Sequence, residues 1–219
     1  MKLAIGSKNY SSWSLRSWLL LKQAGIAFEE IPLPFGAADF KQQAMRYSPT
    51  GRVPVLLDGD LSIWDSLAIA EYVAENFADK QLWPADRKQR AEARSICAEM
   101  HSSFQALRSQ MPMNVTAQLP GLGWTIQVQK DIDRIAVIWA GRSRFASAGP
   151  FLFGRFGVAD AYFAPVVWRF NTYQPQLPAQ AVDYVRLMLA LPAMQAWAAD
   201  AEREHEYIAD DEPYRPAPA

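Results

Sequence analysis

The sequence changes character near residue 80. Before it, short apolar runs alternate with helical stretches; after it, apolar residues recur with helical period to about residue 206. This switch limits the fold more than any other feature. Strand-length segments need neighbouring strands for their backbone groups, so any sheet is confined to the first part of the chain and the remainder must be helix packed on helix. Lys2 to Ile5 reads as a strand, and Ser12 to Ala24 as a helix with Leu15, Leu19 and Ala24 in register and Gly25 as its stop. Ala27 to Ile31 reads as a second strand, halted by Pro32 and Pro34, so these elements predict a parallel crossover. A short helix over Ala38 to Tyr47 precedes the run Val53 to Leu57, the turn signal Asp58-Gly59, the returning strand Leu61 to Trp64, and a helix from Asp65-Ser66 to about Phe77.

The expected architecture is therefore α/β plus all-α: a βαβαββα domain over 1–78, a polar linker over 79–86 broken by Pro84, and a helical bundle domain over 87–207. Its helices are expected near 86–110, 123–145, 157–170, 179–190 and 192–206, and residues 208–219 should form an extended tail. With 219 residues, 50% hydrophobic, and a net charge of −1, the chain should bury a substantial core as a soluble globule. Its 22 basic residues never form a basic run, which argues against a nucleic-acid partner. No apolar run approaches the ~18 residues of a membrane span, and the start MKLAIGSKNYSSW lacks a secretory stretch, so no membrane partner and a cytoplasmic location are expected. Cys97 is the one cysteine, joined by only His101 and His205, which argues against a disulfide framework, a CxxC pair or a thiolate zinc site, and no metal is expected.

Two segments are candidates for chemistry. Tyr10-Ser11-Ser12-Trp13-Ser14-Leu15-Arg16 lies where the first strand hands over to the first helix. Free amides and the helix dipole favour an anion there, and a hydroxyl can donate to it; a serine there can equally serve as the helix cap. Such a site would raise the thiolate fraction of a bound thiol, whose free pKa is ~8.5. The second segment is Arg52-Val53-Pro54-Val55-Leu56 with Trp64-Asp65-Ser66. A proline opening a strand can be cis and present the preceding backbone to an extended ligand. Asp65 and Ser66 are placed to hold an ammonium and a carboxylate, or simply to cap the helix they begin.

Taken in order, these segments resemble the cytosolic glutathione transferase superfamily. Residues 1–77 look like its thioredoxin-like domain, the later helices look like its C-terminal domain, and the likeness spans nearly the full chain. Ser11-Ser12-Trp13 with Arg16 resembles the Ser-Ser-Cys stretch and arginine of the zeta class, at the same spacing before Gly25-Ile26, with Trp13 in the place of the cysteine. SPTGRVPVLLDGDLSIWDSLAIAEYVAE is similar throughout to the family's glutathione-site segment. The resemblance implies a serine-type enzyme that activates the glutathione thiol with Ser11, or with Ser12, and transfers it to a small electrophile. It further implies that glutathione is held by Val53, Pro54, Asp65 and Ser66, with Arg52 or Lys41 near its glycyl end, and that the protein is a homodimer.

For the electrophile, the resemblance points to the helix containing Met100, His101, Phe104 and Arg108, with Met111 beyond it, and Trp13 adds a large ring beside the expected sulfur position. Phe104 and Met111 would make an apolar pocket and Arg108 would pair an acidic group, while the same residues also suit an ordinary helical core. Gly157-Val158-Ala159-Asp160 matches the family's capping motif with glycine at the cap, and Asp160 reads as structural. Two other functions compete: a glutathione-dependent isomerase of the maleylacetoacetate type, and a non-catalytic binding protein on the same fold. A reductase using an active-site cysteine is disfavoured because residues 1–96 contain none.

Overall fold

Strands β3 (Val55–Asp58) and β4 (Leu61–Trp64) pair antiparallel across Gly59-Asp60. Gly59 takes φ +56°, as the first central position of a type II′ turn requires. Strand β1 (Lys2–Ile5) lies antiparallel to β3 on one side and parallel to β2 (Glu29–Pro32) on the other, giving the order β2-β1-β3-β4. The parallel pair is joined by helix α1 (Ser12–Gln23), the crossover the sequence predicts. The short helix α2 (Phe40–Met45) follows β2, and α3 (Ser66–Asn76) follows β4. The computed structural model describes residues 1–216.

The remaining elements are helical: α4 (Arg87–Ser102), α5 (Gln105–Gln110), α6 (Ile126–Ala140), α7 (Val158–Tyr173), α8 (Ala179–Leu189) and α9 (Pro192–Ala201). The stretch expected as one helix over 86–110 is split, because Phe104 takes φ +64° and turns the chain between α4 and α5. Arg108 holds this break: its Nε donates to Ser103 O at 3.0 Å and its Nη2 to Met100 O, satisfying carbonyls that a helix end leaves free. Beyond α6 the chain tightens into a 3-10 stretch over Gly141–Ala148.

Helix α7 is buried along almost its whole length, and α1 packs against it, so one continuous core runs from Leu3 and Leu15 through Ile69 to Trp139, Phe163 and Trp197. The linker joins this core, with Leu82 and Trp83 buried. The C-terminal segment also docks instead of extending. Tyr10 Oη donates to Glu212 Oε1 at 2.8 Å, and Tyr214 Oη to Gln110 O at 2.8 Å. These contacts correct the expected extended tail for its described part, 208–216; residues 217–219 lie outside the described residues.

Asp160 organises the start of α7. Its Oδ1 accepts from Leu152 N at 3.0 Å and Tyr184 Oη at 2.8 Å, and its Oδ2 from Gly157 N at 3.0 Å. Burial pushes this carboxyl up to about 6 against the opposing effect of those donors. The glycine at the cap has a packing reason: a Cβ at Gly157 would lie 2.7 Å from Leu82 O, the carbonyl that accepts from Val158 N at 3.0 Å. Replacing Gly157 with the serine usual in the resembled family should therefore lower stability by about 1–3 kcal/mol, although it adds a capping hydroxyl. Urea unfolding of Gly157→Ser checks this, and a stabilised variant would contradict the packing argument.

Candidate active site

The first turn of α1 divides its two serines between different tasks. Ser11 is the N-cap: its Oγ accepts from Ser14 N at 3.3 Å and donates to Ser14 Oγ at 2.7 Å. Ser14 Oγ also accepts from Gly6 N at 3.1 Å, which ties the cap to the end of β1. Ser12 lines the cleft with Ser11, and its hydroxyl has no hydrogen-bond partner among the described residues. Tyr10 commits its hydroxyl to Glu212, and burial with that carboxylate pushes the phenol up to about 12.

The loop before α1 is held from the far end of the chain. Glu204 accepts from Lys8 N at 2.8 Å and Asn9 N at 2.9 Å. Glu206 accepts from Ser7 Oγ and from Gly36 N at 3.1 Å, while Ser7 Oγ accepts from Phe35 N at 3.0 Å. Lys8 Nζ is 2.7 Å from Glu30 and 2.6 Å from Asp200, which fixes the loop from two sides. Glu204→Ala strands two amides and should cost about 1–3 kcal/mol, with faster hydrogen exchange at Lys8 and Asn9. Exchange unchanged at those amides would contradict the assignment.

The opposite wall comes from the β3 to α3 region. The Val53-Pro54 peptide is cis, and Thr50, Arg52, Val53, Pro54, Asp65 and Ser66 line a cavity of about 330 Å³ that Trp13 and His101 close. Asp65 caps α3, accepting from Leu67 N at 2.8 Å, with φ +73°. That conformation costs a non-glycine residue about 1–3 kcal/mol and persists only where its surroundings enforce it. His101 Nε2 lies 3.4 Å from Asp65 Oδ2, and the His101 ring meets the Trp13 ring edge-on at 5.0 Å. Burial lowers the His101 pKa against the opposing effect of the Asp65 carboxylate. The Ser66 hydroxyl is 3.1 Å from Tyr162 Oη, joining the wall to α7.

A second cavity of about 490 Å³ shares Trp13, Arg52, Val53 and His101 with the first and continues past Ser11 and Ser12 to Phe35, Phe40, Arg108, Arg169 and Asp211. The structure thus brings together Ser11, Ser12, Trp13, Arg52, Val53, Pro54, Asp65, Ser66 and Arg108. It does not bring Phe104 or Met111 to the cleft: the turn at Phe104 directs both into the core, where they are 5% and 1% exposed. Lys41 is exposed on α2 and lines neither cavity. Phe35, Phe40 and Asp211 carry no mark in the sequence that points to the cleft. Arg169 does, as the one basic residue within the otherwise apolar or uncharged second half of α7.

Comparison with known proteins agrees with the fold. The family model "Glutathione S-transferase, N-terminal domain" matches residues 10–76, and "Glutathione S-transferase, C-terminal domain" matches residues 88–200. The chain belongs to the glutathione S-transferase family. It is 28% identical over 172 residues to Glutathione S-transferase 1 of Dianthus caryophyllus, an alignment covering 76% of each chain. It is 27% identical over 191 residues to maleylacetoacetate isomerase of Rattus norvegicus, covering 84% of this chain and 85% of that one. A glutathione transferase homolog from Burkholderia, solved with bound glutathione, shares the fold with TM-score 0.69 and 24% identity over 93% of this chain and 98% of that one.

Proposed function

We propose that this chain is a glutathione transferase that bonds the glutathione sulfur to a small electrophile, with Ser12 as the hydroxyl donor to the thiolate and no metal. The observation that carries the reading is a hydroxyl without a protein partner at the start of α1, set in a cleft whose other wall holds the strained Asp65-Ser66 corner. Glutathione as co-substrate is supported by the family match and by its presence in the Burkholderia relative. Its γ-glutamyl end would meet Asp65 and Ser66, its cysteinyl backbone Val53, and its glycyl end Arg52.

The thiol proton leaves to solvent, and the Ser12 hydroxyl with the Trp13 amide, the one amide of the first turn without a partner among the described residues, holds the thiolate. The sulfur pair then forms a bond to the electrophilic carbon, and the leaving group departs with its own electron pair. Ser11 acts through the helix it caps, and Tyr10 is withheld from the sulfur by Glu212. The protein would act in the cytoplasm as a homodimer, in detoxification chemistry.

Ser12→Ala should lower kcat roughly a hundredfold to a thousandfold with little change in the glutathione KM, by the cost of losing one donor to a reacting anion. Ser11→Ala should instead lower stability by about 0.5–2 kcal/mol as a lost cap, with the smaller effect on kcat. Steady-state kinetics and urea unfolding on the two variants separate the roles. The opposite ranking of kcat effects would transfer the donor role to Ser11.

A further inference from the structure

Three guanidinium groups gather around the inner end of the cleft. Arg16 on α1 stacks 4.2 Å from the Trp13 ring centroid and 4.8 Å from that of Tyr162, and Arg108 lies 5.0 Å from the same Trp13 ring. Arg169 reaches in from α7 and donates through Nη1 to Met111 O at 2.8 Å. Arg16 is 1% exposed and Arg169 5% exposed. Such charges are ordinarily paired when buried, yet among the described residues no carboxylate is within salt-bridge distance of any of the three.

The neighbouring acids offset them only in part, Asp131 acting on Arg108 and Asp211 on Arg169 without forming an ion pair. Asp131 is engaged on Leu107 N at 2.9 Å, and Asp211 faces Arg169 across the cavity, its carboxyl pushed up to about 6 by burial. The guanidinium groups depress one another: burial lowers Arg16 to about 9 and Arg169 to about 10, with Arg108 adding to both shifts. Arg108 and Arg169 both line the larger cavity, which shares Trp13 with the cavity at the Asp65 corner. Arg108 uses Nε and Nη2 on the α4 carbonyls, and Arg169 uses Nη1 on Met111, so Arg108 Nη1 and two Arg169 nitrogens remain without a protein acceptor.

We propose that Arg108 and Arg169 form an anion subsite for the second substrate and that the preferred electrophile carries a carboxylate. Planar guanidinium donors match a carboxylate, and a site with low exposure strengthens the pairing. Arg16, closed off behind Trp13, contributes charge without touching the ligand. Trp13 supplies the flat apolar surface on which the body of the electrophile lies, so the subsite selects a small molecule with an acidic end and an apolar reactive end. The assignment of the reaction rests on the transferase reading above; the assignment of the anion subsite rests on the arginines alone.

The test compares a chlorodinitrobenzoate with the matching chlorodinitrobenzamide, each enzymatic rate being divided by its uncatalysed rate with glutathione. In the conjugation, sulfur bonds to the ring carbon and chloride leaves with the carbon–chlorine pair. The acid should be favoured roughly tenfold or more. Arg108→Gln should abolish that preference, Arg108→Lys should retain part of it, and Asp211→Asn, which removes the facing carboxylate, should increase it. Equal handling of acid and amide by the wild-type protein would overturn the proposal. Calorimetric titration with nitrobenzoate and nitrobenzamide in the presence of glutathione reads the subsite without turnover. Tighter binding of the acid supports it and equal binding overturns it, whereas failure to conjugate either chlorinated compound counts against the transferase reading alone.

Discussion

The loop that leads into α1 stands on carboxylates delivered from the other end of the chain. Glu204 takes the amides of Lys8 and Asn9, and Glu206 takes Ser7 and Gly36, so one short segment after α9 fixes both loops that border the serines. Without it, four polar groups at the top of the sheet would need other partners, and the first turn of α1 would lose its orientation. The rest of the cleft follows from that anchorage. Ser14 binds the cap back to Gly6, Ser11 is held as cap, and Ser12 is left facing the cavity.

The two walls of the cleft are made by different means. The wall built from β3, β4 and α3 is local, with the cis Val53-Pro54 bond and the Asp65 corner lying within one hairpin and the helix that follows it. The other wall is assembled from distant parts: α4 supplies His101, α5 supplies Arg108, α7 supplies Arg169 and the C-terminal segment supplies Asp211. The first wall carries its strain at the Asp65 corner, whose φ is +73°. The second joins aromatic surface to excess positive charge, which suits selection among small molecules.

What the sequence made legible divides along the same line. The βαβαββα order, the hairpin at Gly59 and the helix cap at Asp65 follow from period, turn residues and capping residues that are adjacent in the chain. Ser12, Arg52, Val53, Pro54, Asp65 and Ser66 line the cleft for the same reason. The second-substrate wall was less accessible, because helical spacing does not reveal that Phe104 adopts φ +64° and sends itself and Met111 inward. The proline-rich C-terminal composition suggests an extended tail, yet Glu212 and Tyr214 find partners on Tyr10 and Gln110 across the fold. Gly157 is legible only afterwards, since the Leu82 carbonyl that excludes a side chain there belongs to the linker.

The most direct test of the account is the acidity of glutathione's sulfur when bound, read from the ultraviolet absorbance of the thiolate as pH is raised. In the wild-type protein and in Ser11→Ala the bound thiol should titrate below its free value of ~8.5. In Ser12→Ala it should return towards that value. A bound thiol equally acidic in wild type and Ser12→Ala would show that the sulfur is stabilised by some other group and would contradict the account.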